Sequence, residues 1–159
     1  MLWATAKSVR EERSKQRYAL QDFSFIRVSL VKGKSGWRIG SVEAVSNPFM
    51  KARSRSERAF IKNTVSLLRR YIHGEQRLPE VFVDVEQALS DALMQNDLDT
   101  TFSLFSARLL YLLGYISKQG ETAALLTAAT LTEARQLYTP TQAAELTKII
   151  DEAHRLSHL

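Results

Sequence analysis

The stretch FIRVSLVKGKSGWRIGSVEAVSNP, residues 25–48, contains the change of pattern on which the fold of this chain depends. Its first seven residues alternate in character, as in a strand with one buried face. That face holds Ile26, Val28 and Leu30. Glycines at both ends of residues 33–36 can take positive φ, and an extended pattern resumes at Trp37. The stretch therefore predicts a β-hairpin that ends before Asn47-Pro48.

Upstream of the hairpin, residues 2–8 have a pattern that suits one more strand. A charged stretch, residues 10–17, separates this segment from the hairpin. We therefore expect a small, basic β unit in residues 1–47.

Beyond Pro48 the apolar residues recur at helical spacing. Ser54 and Glu57 have the spacing of a capping box, in which the hydroxyl accepts from the amide three residues on and the carboxylate reaches back. Gly74 offers an end to this first helix. Pro79 suits the first turn of a second helix, because its missing amide would be unpaired there anyway. A third helix is predicted to begin near Asp99 or Thr100.

The third helix is expected to lie at the centre of the helical part, because apolar residues cover most of its circumference. These residues are Phe102, Phe105, Leu109, Leu112, Leu113 and Ile116. A fourth helix is predicted over residues 123–138, and a fifth opens with the cap and proline of residues 139–142. The patterns together predict an α+β fold, in which an all-α domain of about five helices in residues 48–159 follows the β unit.

Basic residues are concentrated in the first half of the chain. Residues 1–77 hold 17 of the 22 Lys and Arg but only 6 of the 17 Asp and Glu, whereas residues 78–159 hold 5 basic and 11 acidic residues. The formal net charge of +5 conceals this separation. Most aromatic residues also lie in the basic half, and this combination favours contact with a polyanion such as nucleic acid.

Catalytic and metal-binding chemistry finds little support in the sequence. No Cys is present, which excludes disulfides and thiolates, and three His are few for a metal site. The carboxylate pairs Asp97 with Asp99 and Asp151 with Glu152 fall at expected helix ends or on solvent faces. Residues 33–36 lack the glycine spacing of a phosphate-binding loop. We therefore expect no enzyme activity, no cofactor and no metal.

The expected location is the cytoplasm. No segment approaches the roughly 18 apolar residues that a membrane helix needs. The first residues also lack the basic and apolar segments of a secretory signal.

The densest group of cations lies between residues 7 and 17, and aromatic residues follow it. Cations that neutralise phosphates release condensed counterions, and bases stack on aromatic rings. We therefore predict the following DNA-binding residues, in this group and on the hairpin: Lys7, Arg10, Arg13, Lys15, Arg17, Lys32, Lys34 and Arg38. The alternative is a solvated loop that only confers solubility. For Phe23, Phe25 and Trp37, core packing and base stacking both remain open.

A second basic run precedes and enters the first helix, and it either extends the phosphate contacts or forms a solvated helix face. Its residues are Lys51, Arg53, Arg55, Arg58 and Lys62, and Arg69 and Arg70 lie further along the same helix.

In the third helix, Arg108 stands among apolar neighbours. Its guanidinium either binds an acidic peptide of a partner or pairs with an internal carboxylate such as Asp84 or Asp91.

Segments from both halves of the chain match one known family. They are ATAKSVR (residues 4–10), KQRYALQDFS (residues 15–24) with the hairpin that follows, and FSARLLYLLGY (residues 105–115). These segments resemble the RecO family of bacterial recombination mediators. The resemblance implies an OB-type barrel followed by a helical domain, so the β unit is expected to be a partial, OB-like antiparallel unit.

The same resemblance implies a function and partners. It implies binding to single- and double-stranded DNA, annealing of strands, and cooperation with RecR in loading RecA onto DNA coated by single-strand binding protein. It assigns DNA contacts to Lys7, Arg10, Lys15 and Arg17. It assigns to Arg108 a contact with the acidic C-terminal tail of single-strand binding protein.

The chain departs from the family pattern in three ways. The family barrel has two strands upstream of the segment that begins here at Ala4, so a shortened barrel with exposed edges is expected. The Cys-rich zinc module of many members has no counterpart, and zinc is therefore not carried over. The region after Ile116 is shorter than in longer members.

The first hypothesis is therefore a non-enzymatic DNA-binding mediator of recombinational repair of DNA damage. One alternative is a helical protein-interaction module that binds an acidic peptide and not DNA. The other is an RNA-binding, OB-like accessory factor, because basic and aromatic residues do not distinguish DNA from RNA.

Overall fold

The alternating stretch forms the hairpin of a three-stranded sheet. A computed structural model of the chain describes residues 3–6, 9, 16–94, 97–118 and 120–157. The strands are β1 (Ala4–Thr5), β2 (Phe25–Gly33) and β3 (Gly36–Ser46), in the order β1-β3-β2. β2 and β3 are antiparallel as predicted, whereas β1 runs parallel to β3, so the sheet is mixed.

The hairpin turns through Lys34 and Ser35, and Gly36 follows with a φ of 111°, which glycine adopts at little cost. Val28 lies opposite Val42 but Leu30 lies opposite Ile39, so β3 contains an extra residue at this point. The Ser29 hydroxyl accepts from the amide of Ser41 at 2.7 Å. A Cβ on Gly40 would lie 2.8 Å from the same hydroxyl, so only glycine fits this bulge without a shift.

Helices make up the remainder of the fold, which confirms the α+β class. Their bounds are α1 (Gln16–Ala19), α2 (Pro48–Lys51), α3 (Arg55–Tyr71), α4 (Pro79–Met94), α5 (Leu98–Leu112), α6 (Ala123–Thr127), α7 (Leu131–Leu137) and α8 (Ala143–Leu156). The single helix predicted over residues 123–138 is wrong, because α6 and α7 are separate. The sequence also gave no expectation of the short α1 and α2.

Cap chemistry explains both the correct helix starts and the missed break. The Ser54 hydroxyl accepts from the amide of Glu57 at 3.1 Å and begins α3 as predicted. Thr130 and Glu133 repeat this spacing, and the Thr130 hydroxyl accepts from the Glu133 amide at 3.2 Å. The break before α7 was therefore present in the sequence as a second cap.

Glu57 completes the start of α3 one residue earlier than a capping box requires. Its Oε2 accepts from the backbone amide of Arg53 at 2.7 Å, one residue before the N-cap Ser54. This hydrogen bond is the largest cause of the lowered pKa of Glu57.

The buried core lies among the helices, with α5 at its centre as predicted. α5 packs against α3, α4, α6, α7 and α8, and eight of its ten residues from Thr101 to Leu110 are buried. Phe105 and Leu110 are fully buried. Every residue of the three strands remains at least partly exposed: Ile26 and Leu30 are partly buried, and Val28 is exposed. The sheet is therefore an open unit beside a closed helical core.

In the described ranges, none of the helices combines the length and the apolar character needed to cross a membrane.

Candidate nucleic-acid interface

The predicted DNA contacts divide into two groups. Lys7, Arg10, Arg13 and Lys15 lie outside the described residues. The others are exposed: Arg17 in α1, Lys32 and Lys34 at the hairpin tip, and Arg38 on β3. These four side chains are accessible to a ligand from solvent.

The hairpin separates its cations onto two faces. Lys32 lies directly opposite Trp37, and Val31 lies directly opposite Arg38. Because neighbouring positions on a strand point to opposite faces, Lys32 and Arg38 are on different faces of the sheet. The Lys32 ammonium lies 5.5 Å from the centre of the Trp37 ring, as in a cation–π contact. The Lys32 face thus combines a predicted cation with the ring of Trp37.

A basic row on α3 lies beside this hairpin. Arg58, Lys62 and Arg69 are spaced by four and seven residues, which places them on one side of a helix. The Lys62 ammonium lies 5.5 Å and the Arg58 guanidinium 6.0 Å from the ring of Phe49, close to the base of the hairpin. We call these three residues the α3 row. Two cations of the second basic run therefore lie against the ring of Phe49 in α2, which follows β3.

The α3 row reaches the hairpin at its other end as well. Arg69 lines a cavity of about 650 Å³ together with residues of the hairpin tip. We call this the tryptophan cleft, and its main residues are Trp3, Gly36, Trp37, Arg69, His73 and Glu75. The indole Nε1 of Trp37 donates to Oε1 of Glu75 at 2.7 Å. This hydrogen bond joins the sheet to the segment that follows α3.

The three aromatic residues left open by the sequence have different roles. Phe23 stacks on Phe49 with ring centres 4.8 Å apart, and Phe25 meets Phe82 edge-on at 6.1 Å. Both pack against the helical core, so the core-packing alternative is correct for them. Trp37 instead lines the tryptophan cleft. Trp3 and His73 were not predicted as site residues, although the two tryptophans of the chain both lie in its basic half.

Arg108 occupies the core and does not reach a partner's carboxylate. Its side chain is 1% exposed, and its Nε donates to Oδ2 of Asp84 at 2.7 Å. Its Nη2 donates to Oδ1 of Asp84 at 3.2 Å, and its Nη1 donates to the carbonyl oxygens of Leu125 and Ala128. The expected contact with an acidic tail is thus corrected to the internal alternative, with Asp84 as the carboxylate.

Asp91, the other internal candidate, lies in a different setting. Burial raises the pKa of its carboxyl, and the charge of Arg135 acts in the opposite direction. Of the two candidate carboxylates, Asp84 and not Asp91 is therefore the one that pairs with Arg108.

An apolar cleft of about 730 Å³ opens between the end of α3 and the start of α4. Its apolar lining consists of Leu68, Ile72, Leu78, Val81, Phe82 and Val85. Phe82 is 57% exposed although it is large and apolar. Arg77 and Glu75 line the same cleft and supply charge at its mouth. Such a surface suits the apolar side chains of a peptide.

Acidic and histidine side chains do not converge on a metal position. In the part of the chain that the structure covers, no three His, Asp or Glu side chains are grouped closely enough to hold an ion.

Comparison with known proteins gives no assignment, because neither a family model nor a curated protein matches the chain.

Proposed function

We propose that this chain is a DNA-binding protein of recombinational repair that captures and anneals single strands. The observation that supports this most directly is that Arg69 of the α3 row meets the hairpin tip around two tryptophans, one of which also lies beside the Lys32 ammonium. Cations that line one surface attract phosphates, and exposed aromatic rings bind unpaired bases. The basic half of the chain supplies this surface, since residues 1–77 hold 17 of the 22 Lys and Arg.

The resemblance to the RecO family supports the biological role. In this proposal the chain is a RecO-type mediator that acts with RecR and helps RecA to replace single-strand binding protein. The open sheet beside a helical core is compatible with a partial OB-like unit.

The test is a fluorescence anisotropy titration of a labelled single-stranded oligonucleotide at several salt concentrations. If Lys32 and the three cations of the α3 row each neutralise one phosphate, the affinity is expected to fall about 50-fold between about 50 and 200 mM salt. Binding that does not change with salt would contradict an electrostatic interface. A matched RNA strand, used as competitor, decides between the DNA proposal and the RNA-binding alternative.

The apolar cleft supports a second candidate function, the binding of a partner peptide. We propose that its occupant is the acidic, apolar C-terminal tail of single-strand binding protein. An apolar side chain of the tail would pack on Phe82 and Leu78, and its carboxylate would meet Arg77. Because Arg108 is buried, Arg77 replaces it as the expected basic contact.

Phe82→Asp is expected to weaken the binding of such a tail peptide at least about tenfold, because an apolar contact is replaced by a charge that repels the acidic tail. Isothermal titration calorimetry with the synthetic peptide measures this. Val83→Asp is the matched control, since Val83 is also exposed on α4 but does not line the cleft. Equal loss in both variants would argue against this cleft as the peptide site.

A further inference from the structure

We propose that the tryptophan cleft binds one unpaired base of the captured strand, stacked on the indole rings of Trp3 and Trp37. The inference rests on the proposed function and deepens it, since it names the base as the group recognised at the hairpin tip. The flanking phosphates lie against Arg69, which lines the cleft, and against Lys32, whose ammonium is beside the Trp37 ring.

The shape of the cleft suits a flat ring. Its volume of about 650 Å³ falls within the range of small-molecule sites and exceeds what one base requires. Trp3 is 77% exposed and therefore offers its ring to a ligand. Ala4 pairs with Trp37 across β1 and β3, so the backbone next to Trp3 is held beside the second indole.

The Trp37 ring is held in one orientation before a ligand arrives. Its Nε1 is fixed by Glu75, and the Lys32 ammonium lies 5.5 Å from the ring centre. An aromatic ring that is already ordered loses little conformational freedom when a base stacks on it. Because the Lys32 ammonium lies beside the Trp37 ring, it is also close to the phosphate that adjoins a base stacked on that ring.

Charge decides which part of a nucleotide enters the cleft. The Glu75 carboxylate lines it and disfavours a phosphate inside, whereas it accepts hydrogen bonds from the amino groups of bases. Arg69 also lines the cleft and attracts the phosphate backbone. The arrangement therefore takes the base inward and leaves the phosphates outside. It also favours cytosine, which has an exocyclic amino group, over thymine, which has none.

A duplex does not satisfy this site. The faces of a paired base are covered by its neighbours, and removing a base from the stack costs a few kcal/mol. The cleft therefore favours single strands over duplexes, whereas the α3 row alone attracts both.

The experiment uses the two tryptophans as its probe, because the chain contains no others and both line the cleft. The protein is titrated with oligo(dC) and with an abasic oligonucleotide of equal phosphate number, while anisotropy and tryptophan fluorescence are recorded together. Both strands are expected to bind, but only oligo(dC) is expected to quench the fluorescence. Trp3→Ala is expected to weaken oligo(dC) about tenfold and to leave the abasic strand unchanged.

Two variants and one negative result complete the test. Trp3→Phe retains a ring and is expected to restore most of the oligo(dC) affinity. The unchanged protein is expected to bind oligo(dC) about fivefold more tightly than oligo(dT). Glu75→Ala is expected to remove this preference. Binding of both strands without quenching by oligo(dC) overturns the base site but leaves the proposed function intact. Absence of binding by either strand overturns the proposed function, and the base site with it.

Discussion

Replacing Asp84 with Ala is expected to lower the free energy of unfolding by about 3–5 kcal/mol, which is a large part of the stability of a domain of this size. Among the described residues, the carboxylate of Asp84 is the only negative charge paired with Arg108, and both side chains are nearly inaccessible to water. Without it, the guanidinium remains charged in the core and loses two hydrogen bonds.

Asp84 also holds a second element in place. Its Oδ1 accepts from the backbone amide of Leu131 at 2.9 Å, at the start of α7. Arg108 in turn donates to the carbonyl oxygens of Leu125 and Ala128, at the end of α6. The ion pair thus joins α4 and α5 to the turn between α6 and α7. Removal of Asp84 leaves the backbone amide of Leu131 without its partner, as well as an unpaired charge on Arg108.

Urea unfolding followed by circular dichroism measures the effect, with Arg27→Ala as the control. Arg27 and Glu43 pair at a similar distance, 2.9 Å, but their side chains are 78% and 67% exposed. Loss of that pair is expected to change stability by less than about 1 kcal/mol. An Asp84→Ala variant as stable as the Arg27→Ala variant would show that the buried pair does not stabilise the fold.

The double variant Asp84→Leu with Arg108→Leu is not expected to recover the lost stability. Apolar replacement of a buried ion pair is often neutral. Here it would still leave the carbonyl oxygens of Leu125 and Ala128 and the amide of Leu131 without their partners. Full recovery would mean that these backbone groups find other partners.

Reversing the charge of Lys62 and Arg69 together is expected to weaken single-stranded DNA binding by about 100-fold at about 50 mM salt. Each change to Glu removes an attraction to phosphate and adds a repulsion, and both residues belong to the α3 row. Arg58 is left unchanged because its Nη2 also donates to the carbonyl oxygen of Ala52, so its loss would affect the fold. Anisotropy with a labelled oligonucleotide measures the affinity.

The matched control reverses Lys118 and Lys148, which are exposed residues of the acidic half. It changes the net charge by the same amount, so an equal loss of affinity would indicate a general charge effect and not a local interface.

A parallel variant replaces Lys7, Arg10, Lys15 and Arg17 with Ala, and it is expected to abolish binding without unfolding the helices. Unchanged affinity in that variant would remove these residues from the interface and leave the α3 row as the binding surface.

Local interactions explain why much of the fold was predictable. The Ser54 side chain caps α3 by accepting from the backbone amide three residues later, and Asp97 caps α5 in the same way. Alternation and glycine placement predicted the hairpin, and the wide apolar surface of α5 predicted its central position. The division of residues 123–138 into α6 and α7 was missed although Thr130 and Glu133 repeat the Ser54 and Glu57 spacing.

The candidate interface was less predictable, because its parts are far apart in the chain. The sequence favoured the cations near the hairpin, but it did not indicate that Lys32 and Arg38 lie on different faces. Nor did it indicate that Arg69 and His73 meet Trp3 and Trp37 in one cleft.

The sequence by itself determined the types of the elements, most of their caps, the division into a basic and an acidic half, and the central helix. These follow from spacings of two to four residues and from composition, which act before any tertiary contact forms. Only the tertiary structure decided that Arg108 pairs with Asp84, 24 residues away, and that Arg69 of the α3 row lies beside the hairpin tip. Such contacts depend on strand register and helix packing, and these are set by the whole core and not by any single segment.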